Sequence, residues 1–217
     1  MKRVIVLGAG MVGRAMAMDL AKKNLVTAAD IDEKALKMLA NKQNISTQLL
    51  NVENTGALSV AIAEFDLVVS AVPGFAGMQT VMTAIKNKKD LVDISFMPED
   101  VLSLQDLALE NGVTAIADCG VAPGMPNIIA GFYNKKMQID EFEYMVGGLP
   151  KIRNYPFEYK APFSPCDVIE EYIRPARYVE NGKLVVKPAM SDQELVNFEQ
   201  VGTLEAFNTD GLRSLIT

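Results

Sequence analysis

Three glycines near the start of the chain are spaced to bind the diphosphate of a dinucleotide. Gly8, Gly10 and Gly13 form a GxGxxG pattern that follows an apolar run and opens a helical pattern. In such a motif the first glycine permits a tight turn, the second lets the backbone approach the diphosphate, and the third lets helix and strand pack closely. The N–H groups of the first helical turn then face the phosphates. The motif predicts a cofactor site that uses Gly8, Gly10, Met11, Val12 and Gly13.

A carboxylate stands where such a site needs one for the adenosine ribose. Asp30 ends the second predicted strand, 20 residues after Gly10, and is predicted to accept hydrogen bonds from the ribose hydroxyls. Asp32 is the competing carboxylate, but its position just before a helical pattern favours a helix N-cap. Ile31 follows Asp30 and no arginine stands close by to receive a 2′-phosphate, so NAD is favoured over NADP. A flavin site, a methyltransferase-like pocket and a chance glycine loop are the alternatives.

Small residues after three later strands are predicted to line the nicotinamide end of the same site. They let a planar ring lie close to the backbone at the carboxyl edge of a sheet. These residues are Ala71, Val72, Pro73, Ser95 and Cys119. For Pro73 the alternative is an ordinary turn with Gly74. Cys119 is expected to line the pocket without a catalytic role, because hydride transfer needs no thiolate.

Apolar runs and helical patterns alternate through about the first 135 residues, and these elements must position the site. Strands that are apolar throughout are typical of a parallel sheet covered by helices on both faces. The alternation therefore predicts the α/β class and a Rossmann-type doubly wound sheet, with ligands at the carboxyl ends of the strands. Strands are predicted over residues 3–7, 26–29, 48–52, 66–72, 91–96 and 113–117, and helices over 11–23, 33–43, 56–63, 77–87, 99–111 and 126–135.

The pattern changes after about residue 137, where a second, smaller α/β substrate domain is expected. We expect an NAD-binding domain over residues 1–125 and a substrate and dimerisation domain over residues 126–217. Within the second domain the sequence predicts a strand over 138–147, a loop over 149–165, a helix over 167–173, a hairpin over 178–186 that turns at Asn181-Gly182, and a turn at 209–211.

Composition excludes several classes of function. The 217 residues are 49% hydrophobic with a net charge of −6, which indicates a folded core and argues against nucleic acid or an anionic membrane as partner. The chain has no histidine, which excludes Ser-His-Asp and Cys-His mechanisms and HExxH zinc sites. Its two cysteines cannot build a four-thiolate metal site, so no metal is expected, and reduced thiols indicate a cytoplasmic protein. No stretch has the pattern of a secretory leader or a membrane span.

Motifs in the second half resemble those of a known family. The most specific is DCGVAPGM at 118–125, which is similar to the acidic-x-Gly-x-x-Pro-Gly loop after the sixth strand of the saccharopine dehydrogenase-like family. Other similar segments are VGGLP at 146–150, YK at 159–160, SP at 164–165, DVIEEY at 167–172, RPAR at 174–177 and DGLR at 210–213. Together they most resemble the L-lysine 6-dehydrogenase branch, over nearly the whole chain.

The resemblance implies a reaction, a fold and an assembly. The reaction is oxidative deamination of the ε-amine of L-lysine with NAD, which gives the 6-semialdehyde. The fold is a Rossmann domain with a smaller α/β substrate domain, and the assembly is a homodimer. Relatives continue beyond the position of Thr217, so the substrate domain is expected to be incomplete relative to the family.

Oxidation of an amine needs a base, because the product iminium uses the nitrogen lone pair that a protonated amine lacks. Without histidine, the candidates are Asp118, at the end of the sixth strand, and Lys160. Asp118 could instead cap the loop that follows it. Lys160 could act as a base only if it were buried or beside another cation, and is otherwise a solvated lysine.

The α-carboxylate of an amino acid substrate is best held by a bidentate partner. Arg174, Arg177 and Arg213 are the arginines in the motif segments, and for each the alternative is a structural ion pair. Gly147 and Gly148 are predicted to allow close backbone approach to the substrate or to the neighbouring domain, with a strand bulge as the alternative.

Three functions are open at this point. The first is an NAD-dependent dehydrogenase acting on lysine. The second is a saccharopine-type reductase that joins an amine to a keto acid with NAD(P). The third is a non-catalytic dinucleotide-binding module.

Overall fold

Six parallel strands form one sheet in the first of two units, Met1–Gly120; the second unit begins at Val121. The computed structural model describes residues 1–216, except the side chains of residues 212 and 213. The strands of the sheet are β1 (Arg3–Leu7), β2 (Leu25–Asp30), β3 (Ile45–Leu49), β4 (Leu67–Ser70), β5 (Leu91–Asp93) and β6 (Ala115–Ile116).

The strand order identifies the fold of the first unit. The order β3-β2-β1-β4-β5-β6, with all neighbours parallel, is that of a doubly wound dinucleotide-binding domain, so the predicted Rossmann-type fold is confirmed. The direction of winding reverses between β1 and β4. In open α/β sheets a ligand crevice forms at the carboxyl ends of the two strands where this reversal occurs.

Helices cover both faces of the sheet, which explains why β1 is apolar at successive positions. The helices are α1 (Met11–Leu20), α2 (Glu33–Lys37), α3 (Thr55–Ile62), α4 (Gly74–Lys86) and α5 (Gln105–Asn111). Side chains alternate between the faces of a strand. Val6 accordingly packs in one core cluster with Ala17 of α1, and Ile5 packs in another with Val81 of α4. Burial on both sides removes the polar alternation of a half-exposed strand.

Two elements of the first unit differ in position from their predictions. The helix predicted over residues 33–43 ends at Lys37, and Asn41 and Asn44 then adopt φ of 67° and 61°. Asparagine tolerates this left-handed conformation, which no helix can continue through. The strand predicted over 48–52 is β3, three residues earlier. It is an edge strand with several exposed polar side chains, so the apolar pattern did not mark it.

Two helix starts also differ. The helix predicted to begin at residue 77 begins at Gly74, directly after Pro73, which is its N-cap. The helix predicted over residues 99–111 is divided into a 3₁₀ turn, Val101–Leu104, and α5.

The second unit contains helices and two antiparallel hairpins. Its helices are α6 (Met125–Asn134) and α7 (Pro165–Ile173), its strands β7 (Ala176–Glu180), β8 (Lys183–Lys187), β9 (Glu194–Phe198) and β10 (Gly202–Ala206), followed by a 3₁₀ helix at Asp210–Leu215. Strand β7 pairs with β8. The predicted turn at Asn181-Gly182 is confirmed, with φ of 50° and 71°, as the twist of a two-residue hairpin requires.

Two predictions for the second unit are wrong. The strand predicted over residues 138–147 is not present in the described chain, where this segment has no strand partner. An alternating pattern forms a strand only if a neighbour pairs with its backbone. The hairpin of β9 and β10 was not predicted, because most of its residues are exposed and none is buried, so no continuous apolar run marks it.

Within residues 1–216, no helix combines the length and the apolar character that crossing a bilayer requires.

Candidate functional site

The glycine loop after β1 is suited to bind a phosphate, because two of its glycines pack against protein and the third has open space beside it. A Cβ on Gly8 would lie 2.5 Å from the carbonyl oxygen of Ala71, and Gly8 has a φ of +96°. A Cβ on Gly13 would lie 2.0 Å from the carbonyl oxygen of Gly8. At Gly10, by contrast, a Cβ would meet nothing within 4 Å. The first and third glycines therefore close the loop against protein, and the second leaves open space beside the backbone.

The start of α1 offers hydrogen-bond donors to an anion. Gly10 is the N-cap and has no side chain to cap the helix, and the first turn contains no acidic residue. The first N–H groups of a helix have no carbonyl partner within it. Met11 and Val12 are exposed, so the backbone at the helix start is accessible. These features fit the diphosphate of a dinucleotide.

Asp30 holds the glycine loop from the end of β2. Its Oδ2 accepts a hydrogen bond from the Ala9 N–H at 2.5 Å, and its Oδ1 accepts one from the Asp32 N–H at 2.8 Å. A carboxylate has about four acceptor positions, so each oxygen can also accept from a ribose hydroxyl. Asp32 caps α2 by accepting from the Lys34 N–H at 2.8 Å, which confirms its interpretation as an N-cap.

The loop after β4 forms the other side of the crevice. The Ala71 N–H donates to the Leu7 carbonyl at 2.8 Å, and the Ala71 carbonyl is the group that a Cβ on Gly8 would meet. Val72 is buried in the core, so only its backbone can face a ligand. Pro73 is the N-cap of α4, whose first turn also lacks acidic residues. Pro73 therefore lies in the turn that was its alternative interpretation, at the position predicted for the cofactor site.

A buried carboxylate that the sequence analysis did not single out lies at the end of β5. Asp93 has no exposed surface, and its Oδ2 accepts hydrogen bonds from the Ser95 N–H at 3.0 Å and the Ser95 hydroxyl at 2.7 Å. Burial raises the pKa of Asp93 from 3.8 to about 6; the Ser70 and Ser95 groups oppose this shift and Asp118 adds to it. The signal in the sequence was an Asp two residues before a Ser at a strand end.

We predict a specific pH dependence of stability from Asp93. Its pKa is higher in the folded chain, so folding takes up a proton and stability falls as pH rises from about 4 to about 6, then stays level. The full difference corresponds to about 3 kcal/mol. In D93N this loss should disappear, because the amide stays neutral. Urea unfolding of both chains between pH 4 and pH 8 measures it, and parallel curves for the two chains would contradict the assignment.

Asp118 and Cys119 follow β6 beside this carboxylate. Asp118 is only 7% exposed and has a φ of 51°, and the Cys119 N–H donates to the Asp93 carbonyl at 3.0 Å. The predicted base and the predicted pocket cysteine therefore lie at the same sheet edge as Ser95. All the predicted cofactor residues and Asp118 belong to the first unit.

The second unit holds the other predicted residues, and two of its arginines are engaged in ion pairs. Arg177 donates from Nε and Nη2 to the two carboxylate oxygens of Asp210, at 2.8 and 2.6 Å. Arg174 pairs with Glu170 at 3.3 Å. Both arginines therefore form the structural ion pair that was the alternative to substrate binding. Their role with substrate stays a prediction. The side chain of Arg213 lies outside the described part of the chain.

Removing the partner of Arg177 is expected to destabilise the second unit. Asp210 has no exposed surface, so D210A would remove the bidentate partner of a partly buried guanidinium; we expect a loss of about 2 kcal/mol in the free energy of unfolding, below the range for fully buried pairs. Thermal unfolding measures this. D19A, which removes the carboxylate of the exposed pair with Lys22, is the control and should change stability little. Equal effects of the two substitutions would contradict a structural role for Asp210.

Lys160 and the two glycines lie in the loop region before α7. Lys160 is exposed, so the burial that a lysine base would need is not provided by the described chain. A Cβ on Gly148 would lie 2.8 Å from Cγ of Pro162, whereas one on Gly147 would meet nothing within 4 Å. Neither glycine lies in a strand, so the bulge alternative is wrong. The close approach of Pro162 explains why residue 148 is a glycine, whereas the backbone at Gly147 has open space beside it.

Two family models match the chain in sequence order. The model of the saccharopine dehydrogenase NADP binding domain matches residues 4–116. The model of the saccharopine dehydrogenase C-terminal domain matches residues 120–215.

Named relatives agree with these matches. The mitochondrial alpha-aminoadipic semialdehyde synthase of Bos taurus is 27% identical over 194 residues, 85% of this chain and 21% of that protein. The saccharopine dehydrogenase (NADP(+), L-glutamate-forming) of Schizosaccharomyces pombe is 27% identical over 195 residues, 85% of this chain and 43% of that protein. The chain thus spans less than half the length of these relatives.

A solved structure shares the fold. The apo saccharopine dehydrogenase (L-Glu forming) of Saccharomyces cerevisiae superposes with a TM-score of 0.69 at 21% identity, covering 97% of this chain and 50% of that one. The glycine cradle, the doubly wound sheet and the match of the first domain model to more than half of the 217 residues lead to one assignment. This chain belongs to the saccharopine dehydrogenase family.

Proposed function

We propose that this chain binds NAD in its first unit and catalyses hydride transfer at the amine-bearing carbon of a lysine-type amino acid. The observation that carries the proposal is the glycine loop after β1, at the point where the winding reverses between β1 and β4. This loop has open space at Gly10 and leads into the uncapped start of α1, and the carboxylate of Asp30, at the end of β2, accepts a hydrogen bond from its Ala9 N–H. A diphosphate at the start of α1 and a ribose at Asp30 would together match the adenosine diphosphate part of NAD.

The preference for NAD rests on charge at the adenosine ribose. A 2′-phosphate would lie beside the Asp30 carboxylate, and like charges at that distance repel. Ile31 is 65% exposed and offers an apolar surface there. Arg14, on α1, is engaged elsewhere: its Nη1 donates to Sδ of Met38 at 2.8 Å. The family model is described as NADP binding and the S. pombe relative is named for NADP(+), so affinities for both cofactors must be compared directly.

Hydride transfer requires the protein to remove a proton and to hold the substrate still. The nicotinamide, when bound, accepts the hydride. Asp118, almost fully buried at the end of β6, is the first candidate to take the proton of the substrate ammonium and free its lone pair. Lys160 is the second candidate and depends on becoming covered when substrate binds. Burial of Asp118 also excludes water from the group that carries the proton.

Substrate recognition is assigned to the second unit. Arg174, Arg177 and Arg213 are proposed to contact the α-carboxylate, and the open backbone at Gly147 to lie against the substrate chain. Arg177 forms a bidentate pair with Asp210, and Arg174 pairs with Glu170 at 3.3 Å, so a substrate carboxylate would compete with these partners at either arginine.

Two substrates are consistent with the site. The motif resemblance favours L-lysine, oxidised at its ε-amine to the 6-semialdehyde. The names of the relatives favour saccharopine. Purified protein is supplied with lysine or saccharopine and with NAD or NADP, and formation of the reduced cofactor is measured. NADH from lysine supports the first proposal, and NADPH from saccharopine supports the second. Cofactor binding without turnover would favour a non-catalytic dinucleotide-binding module.

The resemblance also supports a homodimer as the assembly. Light scattering of the purified chain tests this proposal, since a dimer has twice the chain mass of 23.6 kDa.

A further inference from the structure

Ser95 is held in place from two sides at the carboxyl edge of the sheet. Its N–H and hydroxyl both donate to Oδ2 of Asp93, at 3.0 and 2.7 Å. On its other side α4 passes so close that a Cβ on Gly77 would lie 2.2 Å from the Ser95 hydroxyl oxygen. The segment that follows β5 is therefore fixed by a carboxylate beneath it and a helix beside it.

The carboxylate that fixes Ser95 is itself only partly satisfied. Asp93 has no exposed surface, and its Oδ1 has no partner with hydrogen-bond geometry among residues 1–216. The Ser70 hydroxyl lies near enough to affect the carboxyl, but its oxygen also lacks a partner with that geometry. A buried carboxylate with unfilled acceptor capacity lowers stability. The oxygen of an asparagine could still accept both Ser95 hydrogen bonds, but its two N–H donors would lie where Oδ1 has no such partner among residues 1–216.

Asp93 also connects the ends of two strands. Its carbonyl accepts the Cys119 N–H at 3.0 Å, which joins the end of β5 to the segment after β6. Ser95 and Cys119 are both predicted to face the nicotinamide, and Asp118 is the candidate base. Asp93 thus contacts Ser95 and Cys119 and lies near Asp118, which are the residues assigned to the reacting end of the site.

We propose that Asp93 is a positioning residue for the nicotinamide half of the cofactor, acting through Ser95. This inference rests on the proposed function, since it assumes that a dinucleotide occupies the crevice. Asp93 touches neither cofactor nor substrate. It sets the place of the Ser95 backbone and hydroxyl, against which the nicotinamide end docks, whereas Asp30 and the α1 start hold the adenosine end.

The test separates the two halves of the cofactor. Affinities for NADH and for ADP, which lacks the nicotinamide half, are measured by calorimetry on D93A, D93N and the wild-type chain. We expect D93A to lose about 10-fold or more in NADH affinity, because the two bonds to Ser95 are gone. Its ADP affinity should stay within about 2-fold. D93N should restore most of the NADH affinity, because one amide oxygen can accept both Ser95 hydrogen bonds.

A matched control comes from α4. Thr80 is 1% exposed and its hydroxyl also lacks a partner with hydrogen-bond geometry in the described chain, so T80V removes a buried polar group elsewhere in the same core. This variant should leave both affinities unchanged. If D93A does not fold, S95A replaces it; it removes one of the two bonds and should lower NADH affinity alone.

Each outcome has a distinct meaning. Loss of NADH affinity without loss of ADP affinity supports the positioning role. Equal losses for both ligands, or no loss for either, would overturn it while leaving the proposed function intact. A wild-type chain that binds neither NADH nor ADP would instead contradict the proposed function itself.

Discussion

Replacing Asp30 by alanine is expected to lower the affinity for NAD by about 100-fold or more, with calorimetry as the measurement. Hydrogen bonds to a charged group contribute about 1.5–3 kcal/mol each, and two ribose hydroxyls are available to the carboxylate. The same change removes the negative charge beside a 2′-phosphate. Affinity for NADP should therefore stay level or rise, and the preference between the two cofactors should shift towards NADP.

The control for D30A lies two residues away. Asp30 also holds the Ala9 N–H, so its removal loosens the loop and could weaken binding indirectly. D32A removes the N-cap of α2, which is a comparable loss of backbone hydrogen bonding next to the site. It should lower thermal stability slightly and leave NAD affinity within about 2-fold. Equal losses of NAD affinity in D30A and D32A would contradict ribose binding by Asp30.

Replacing Gly10 by alanine is expected to lower NAD affinity by roughly 10- to 100-fold without a change in fold. Gly10 has a φ of −64° and its Cβ would meet no protein atom within 4 Å, so the folded chain can accept alanine. The methyl group would instead occupy the space through which a diphosphate reaches the backbone. Forcing an extra methyl group into a closely packed contact costs about 1–3 kcal/mol.

Two other glycines serve as references for Gly10. G13A should destabilise the chain itself, because its Cβ would lie 2.0 Å from the Gly8 carbonyl oxygen. In G131A, in α6, the new Cβ meets nothing within 4 Å; alanine should raise stability by about 0.5–1 kcal/mol, because it favours the helix more than glycine, and should leave NAD affinity unchanged. Circular dichroism and calorimetry on the three variants distinguish the cases. If G10A binds NAD as tightly as G131A does, no diphosphate lies against Gly10.

The sheet could be predicted from the sequence because its strands are buried on both faces. Residues 3–7 were assigned correctly at both ends, since Val4, Val6, Ile5 and Leu7 fill two separate cores and leave a continuous apolar run. The edge strand β3 was misplaced because one side of it faces solvent. Strands β9 and β10 were not predicted for a similar reason, since most of their residues are exposed and no continuous apolar run marks them.

The candidate site could be predicted only where a residue type is required by backbone geometry. Gly8 and Gly13 are such positions, because any side chain would collide with a carbonyl. The role of Asp93 could not be predicted in this way, since an Asp two residues before a Ser at a strand end does not indicate burial. Its burial depends on β4, α4 and the segment after β6, which come together only in the fold. An ion pair was an open alternative for Arg177, but its partner Asp210, 33 residues away, could not be identified from the sequence.

A crystal structure of the chain grown with NAD tests the central claim most directly. We expect the diphosphate to accept hydrogen bonds from N–H groups at the start of α1, over Gly10, and both oxygens of Asp30 to face the hydroxyls of the adenosine ribose. Density for the cofactor at another place, or a ribose turned away from Asp30 at full occupancy, would contradict the account.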